Sequence, residues 1–166
     1  IPVWTVVLTG VCDDKTQIGI IFDACHDDCF VAISGQGSCL NAMPLKSLHR
    51  SALTEGSVGV GFSNLVTTVG VSKLVEKILD AGGVFHRNAS GALSLAYVAD
   101  GRLLGYSEEH MNAWDCLAGQ LLVAEAGGRV EAQSADAMIR QGGRVVVGAP
   151  GVFEHLIAIS DEAYAA

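Results

Sequence analysis

The run Asn112-Ala113-Trp114-Asp115, followed by Cys116-Leu117-Ala118-Gly119 and closed by Glu125-Ala126-Gly127-Gly128, carries more structural information than any other segment of the chain. It predicts a helix over 112–126 that a glycine pair stops. Asp115 falls in its first turn, at the mouth of whatever pocket that helix faces. Local spacing also gives this carboxylate a plain structural role. Asn112 can act as the N-cap and Asp115 as its partner in a capping box, and an acid suits the positive end of the helix dipole. Trp114 beside it could shield a metal bond from water. One carboxylate cannot hold a catalytic metal, however, and no second acidic motif in the chain completes such a site.

Upstream of this helix the pattern divides in two. Residues 3–11 are β-branched and apolar, 17–23 read as a second strand, 30–34 as a third and 38–41 as a brief fourth, joined by tight polar turns. That is an antiparallel meander. Residues 42–54, with Pro44, read as a connector. From Ser57 onward strands alternate with helices: a strand at 58–62, a helix over 65–81, a strand at 84–87, a helix over 90–98 and a strand at 102–106. Beyond the central helix come strands at 129–132 and 144–147 and a last helix over 152–161. The expected organisation is a β-meander over 1–54 and an α/β lobe over 55–166. Ile1 opens directly in strand-like sequence with no preceding cap, which leads to the expectation of a missing upstream segment and of an aggregation-prone edge along 1–8.

Composition narrows the function. The 166 residues carry a net charge of −8, which disfavours nucleic-acid polymers and anionic membranes as partners. No apolar run approaches the ~20 residues of a bilayer span, and no signal peptide is visible. Five cysteines without metal-like spacing read as small buried thiols in a reducing cytosol. His26-Asp27-Asp28 reads as a hairpin turn rather than a metal cluster.

Two other segments can carry chemistry. Arg87-Asn88-Ala89-Ser90-Gly91-Ala92 runs from a strand end into a helix start, where free backbone amides and a serine hydroxyl suit an anion; the plain reading is a serine N-cap. Glu108-Glu109-His110 is expected on a loop leading into the Asp115 helix, where a carboxylate could accept hydrogen bonds from a hydroxyl-rich substrate. A metal trio of Glu108, His110 and Asp115 has no recognised spacing.

Taken in order along the chain, these segments resemble the inositol monophosphatase family of magnesium-dependent, lithium-sensitive phosphatases. Gly19-Ile20-Ile21-Phe22-Asp23-Ala24 is similar to that family's GVIYDP-type hairpin. Gly35-Gln36-Gly37-Ser38 through Asn41 resembles its GxGAxxNG turn, and 87–101 its GSAALxLAYVAxG helix. Residues 112–128 resemble its WDxAAGxxLxxEAGG signature, and 145–150 its closing VVAGNP strand. The resemblance implies an α/β fold, the αβαβα sandwich of sugar phosphatases, and hydrolysis of a phosphate monoester such as inositol monophosphate with Mg²⁺. It implies Asp115 as a metal ligand, Ser90 and Gly91 as substrate contacts, Glu108 as the reader of an inositol hydroxyl, and a cytoplasmic homodimer acting on a small phosphorylated polyol. Related members take histidinol phosphate, sugar bisphosphates or 3′-phosphoadenosine nucleotides. The family's DPIDGT motif would lie upstream of Ile1, so a non-catalytic packing or dimer module is the rival expectation for the chain by itself. Ala89 stands where the family has Gly, Gly91 where it has Ala, and Leu117-Ala118 replaces its small pair.

Overall fold

The computed structural model describes residues 2–47 and 49–165; Ile1, in the opening run, and Leu48, in the connector, lie outside the described residues. Strands β1 (Thr5–Cys12), β2 (Lys15–Asp23), β3 (Asp28–Ile33), β4 (Gly37–Leu40) and β5 (Met43–Pro44) form an antiparallel meander in sequence order. Its first turn is two residues long, with Asp13 and Asp14 both at positive φ (50° and 61°). That geometry matches the right-handed twist of the strands it joins, and aspartate tolerates it. Asp27, in the acidic turn, also sits at φ 57°; the segment is a turn, as its sequence suggests.

The second sheet has the order β7-β6-β8-β10-β9, built from β6 (Ser57–Val60), β7 (Val84–His86), β8 (Gly105–Met111), β9 (Arg129–Val130) and β10 (Gly143–Gly148). β6 runs parallel to β7 and β8, and β10 antiparallel to β8 and β9. The helices are α1 (Thr68–Asp80), α2 (Gly91–Ala99), α3 (Ala113–Glu125), α4 (Ala135–Gln141) and α5 (Phe153–Tyr164).

Period-two alternation along β10 explains the layering. Val145 and Val147 join Ile21 and Phe30 of the meander and Leu95 and Leu122 of α2 and α3 in one core. Val146, between them, joins Leu74 and Ile78 of α1 and Leu156 of α5 in a second. The layers therefore run meander, α2 with α3, second sheet, α1 with α5. The expected α/β class holds, in this layered form. The outward face of the meander carries Trp4, Val6 and Leu8, each more than half exposed, with β1 at its edge.

Several boundaries differ from expectation. β1 begins at Thr5 and α1 at Thr68. The connector over 42–54 contains β5 and a short 3₁₀ turn at Leu53–Glu55. Helix α4 has no apolar periodicity to announce it. It is held at its start by Ser134, which accepts from the Ala137 amide and donates to Asp14 of the first hairpin. Only Cys116 of the five cysteines is buried; Cys12 and Cys25 are exposed, and none is paired. Glu125, at the end of the signature, accepts hydrogen bonds from the amides of Gly35 (2.8 Å) and Gly37 (2.7 Å). It ties the meander turn to the last turn of α3.

Candidate active site

Strand β8 governs the site. The strand expected at 102–106 instead spans 105–111, so Glu108-Glu109-His110 lies within it rather than on a loop. Burial of polar residues inside the tertiary fold hides this strand from local sequence patterns. Alternation sends Tyr106 and Glu108 toward α2 and α3, whereas His110, past a register shift against β10, has its Nε2 3.0 Å from the Gln141 carbonyl oxygen at the end of α4. Ser107 and Glu109 point the other way: Ser107 hydrogen-bonds Ser160 and Tyr164 of α5, and Glu109 packs against Gly70 of α1.

β8 feeds directly into α3, with Asn112 as the single linking residue. The Asn112 side chain makes no capping hydrogen bond, and the 3.0 Å bond between Asp115 and Asn112 is backbone to backbone. The capping-box reading of Asp115 therefore fails, because neither side chain reaches back. The Asp115 carboxyl is raised above its ordinary value by the protein mass around it.

Helix α2 begins where its sequence suggests. Ser90 is the N-cap, and its hydroxyl oxygen accepts from the Leu93 amide at 3.2 Å. Asn88, not singled out from sequence, organises this junction: its Oδ1 accepts from the Ser90 amide and the Ser94 hydroxyl, both at 3.0 Å. The Gly91 and Ala92 amides are left without an intrahelical acceptor. Ala89 stands at φ 65°, a left-handed conformation that strains a residue with a Cβ. Ala89→Gly is therefore expected to stabilise the chain by about 1 kcal/mol, seen as a melting temperature higher by ~2–4 °C. An unchanged melt would mean that the junction relaxes in solution.

Ser90, Gly91, Glu108 and Asp115 all line one cavity of about 340 Å³, together with Arg87 and Tyr106. Glu108 is 7% exposed and accepts a 2.5 Å hydrogen bond from the Tyr106 hydroxyl. Burial raises the Glu108 carboxyl above its ordinary value; the Tyr106 bond works against this, the Asp115 charge adds to it, and Arg87 and His110 oppose it. The Tyr106 hydroxyl is itself pushed well above the usual phenol range, first by burial and then by the Glu108 charge. It therefore remains a donor at neutral pH.

Glu108→Gln is expected to raise the melting temperature at neutral pH by ~2–4 °C, because it removes a carboxylate that the fold holds partly against its charged form. With the folded carboxyl raised, this group's stabilising contribution is full below its unfolded value and lost as pH rises through its folded value. The gain from Gln should therefore grow with pH across that window and vanish in acid. A pH-independent difference in melting would show that charge is not its cause.

The profile of the inositol monophosphatase family matches residues 1–164. This chain belongs to the inositol monophosphatase family. It is 32% identical over 133 residues to "Nus factor SuhB" of Haemophilus influenzae, covering 78% of this chain and 49% of that protein. It is also 32% identical over 146 residues to "Nus factor SuhB" of Escherichia coli K12, covering 87% and 55%. Among solved structures it resembles the inositol monophosphatase of Anabaena, with TM-score 0.85, 28% identity and coverage of 95% of this chain and 64% of that one. It resembles Mycobacterium tuberculosis SuhB with TM-score 0.87, 29% identity and coverage of 98% and 66%. The chain spans about half the length of the curated relatives it matches.

Inositol monophosphatase family members are generally metal-dependent. Asp115 offers the hard oxygen that a small divalent cation takes, and it lines the cavity that holds the other candidate residues. Among the described residues, no group of three or more His, Cys, Asp or Glu side chains could hold a metal ion. Glu108, His110 and Asp115 share the cavity wall without forming such a cluster. The described residues therefore offer a divalent cation one suitable carboxylate in this cavity, not a whole cage.

Proposed function

We propose that the protein in its complete form hydrolyses a phosphate monoester with Mg²⁺, and that inositol monophosphate is its preferred substrate. The observation that carries this reading is the convergence of three unlike groups on one cavity. They are the open carboxylate of Asp115, the α2 start at Ser90-Gly91 with its free amides, and the buried carboxylate of Glu108.

The division of labour follows from their chemistry. Gly91 and Ala92 direct their amides, at the positive end of α2, toward phosphate oxygens. Glu108 accepts a hydrogen bond from a ring hydroxyl and so orients the polyol. Asp115 contributes one oxygen to the metal. When bound, Mg²⁺ neutralises phosphate charge and lowers the pKa of an attacking water. Arg87 adds positive potential to the same wall. A panel of phosphate esters tests the substrate: the complete native protein with Mg²⁺ should turn over inositol monophosphate with a higher kcat/KM than histidinol phosphate, fructose 1,6-bisphosphate or 3′-phosphoadenosine 5′-phosphate. Equal or reversed preference would move the assignment to another substrate. Homodimeric assembly and cytoplasmic residence belong to the same reading; no helix among the described residues is long and apolar enough to cross a membrane.

The curated relatives' name, "Nus factor SuhB", supports a second reading, in which the protein serves as a Nus factor independently of catalysis. A net charge of −8 argues that such a role would run through protein contacts rather than through direct binding of a nucleic-acid backbone. Loss of that role in a folded but catalytically dead variant would overturn the independence.

A further inference from the structure

Glu108 is a carboxylate with two oxygens, and only one of them has a protein donor. Oε2 is held at 2.5 Å by the Tyr106 hydroxyl. Oε1 receives no hydrogen bond from any described residue and is not among the buried unpartnered atoms. The Tyr106 side chain is 2% exposed and forms part of the core between the two sheets, so the anchor has little freedom to swing away.

Two glycines give the pair its space. A Cβ at Gly61, just beyond β6, would collide with the Tyr106 hydroxyl and with the Glu108 carboxyl. A Cβ at Gly91 would lie 3.1 Å from the Tyr106 hydroxyl and 3.6 Å from Glu108 Oε2. The first residue of α2, which meets the substrate in the proposed reading, thus lies against the same bond. No other described side chain donates to Glu108.

We propose that Tyr106 is a positioning residue that sets substrate preference: by anchoring Oε2 of Glu108, it leaves Oε1 as the single, fixed acceptor for one substrate hydroxyl. This rests on the reading of the cavity as a phosphate-ester site. Without the phenol hydroxyl, the carboxylate must turn toward cavity water to satisfy Oε2, and Oε1 leaves the place where a hydroxyl would meet it. Binding of the phosphate group, at the α2 amides, does not run through this bond. The consequence is a loss of discrimination between esters that carry a ring hydroxyl and esters that do not.

The test compares kcat/KM for myo-inositol 1-phosphate and for ethyl phosphate, with the complete native protein and Mg²⁺, in wild type, Tyr106→Phe, Glu108→Gln and the double variant. The preference for inositol phosphate over ethyl phosphate should fall about tenfold in Tyr106→Phe. Adding Tyr106→Phe to Glu108→Gln should have no further effect, since Tyr106 acts through Glu108. An unchanged preference in a folded Tyr106→Phe chain overturns the inference, as does an equal effect of Tyr106→Phe when Glu108→Gln is already present. If wild type turns over neither ester, the phosphate-site reading fails and takes this inference with it. Should Tyr106→Phe not fold, the wild-type tyrosine Raman doublet decides: Tyr106 must report a strong donor whose signal changes in Glu108→Gln, and an unchanged doublet overturns the anchoring bond.

Discussion

Asp115→Asn is expected to lower phosphate-ester hydrolysis by the complete protein on the order of a hundredfold, and to weaken its dependence on Mg²⁺. The substitution keeps the size and shape of the side chain and replaces one anionic oxygen by an amide nitrogen, which does not ligate Mg²⁺. The fold should tolerate it. The Asp115 side chain makes no hydrogen bond to a described residue, and its carboxyl is raised by its surroundings alone. Steady-state kinetics across an Mg²⁺ titration, paired with a thermal melt, separate lost chemistry from lost structure. Near-normal turnover would remove Asp115 from the site.

Gly19→Ala carries the largest expected cost in stability, about 2–3 kcal/mol, or a melting temperature lower by roughly 5–10 °C. Gly19 lies in the middle of β2, where α3 crosses the meander. A Cβ there would stand 2.7 Å from the Ala118 Cα and 2.8 Å from the Ala118 carbonyl oxygen. These are backbone atoms of a helix whose other face is seated on α2, so neither can rotate aside as a side-chain tip would. The strain must be relieved by lifting α3, and Asp115 moves with it. A variant that melts within a degree of wild type would show that α3 does not sit on β2 at this distance. The same contact explains why small residues recur where these elements meet: Gly119, the next residue along α3, is pressed against the Leu95 side chain of α2.

Local sequence signals succeeded where the interaction they encode is itself local. Helix α3 and its glycine stop, the serine cap of α2 and the two-residue turn at Asp13-Asp14 each depend on groups within a few residues of one another. Ala89 shows the same logic in reverse. A glycine at that position in the family pattern signals a left-handed backbone, and the chain adopts it with alanine. Signals failed where polarity was the guide. Glu108, Glu109 and His110 read as a loop because consecutive polar residues rarely form a strand, yet β8 pairs on both sides and buries Glu108 and its neighbour Ser107. The capping box at Asn112 and Asp115 has ideal spacing and is not formed.

The amino-acid sequence by itself determined the class of fold, through periodicity and turn chemistry, and the family, through motifs in order along the chain; Ser90, Gly91, Glu108 and Asp115 became candidates through that resemblance, since local spacing alone gave their segments plain structural roles. Only the tertiary structure decided that β8 is a central strand, that alternation along it sends Glu108 into the cavity and Glu109 to the far side, and that Tyr106 holds Glu108 while Gly61 makes room for both. The physical reason is that burying a carboxylate is unfavourable unless it is hydrogen-bonded; Tyr106 supplies that bond from the same face of β8, but the room for the pair comes from Gly61 and Gly91 on other elements. That 105–111 is a strand, and that glycines of other elements clear this space, cannot be read from the residues beside Glu108.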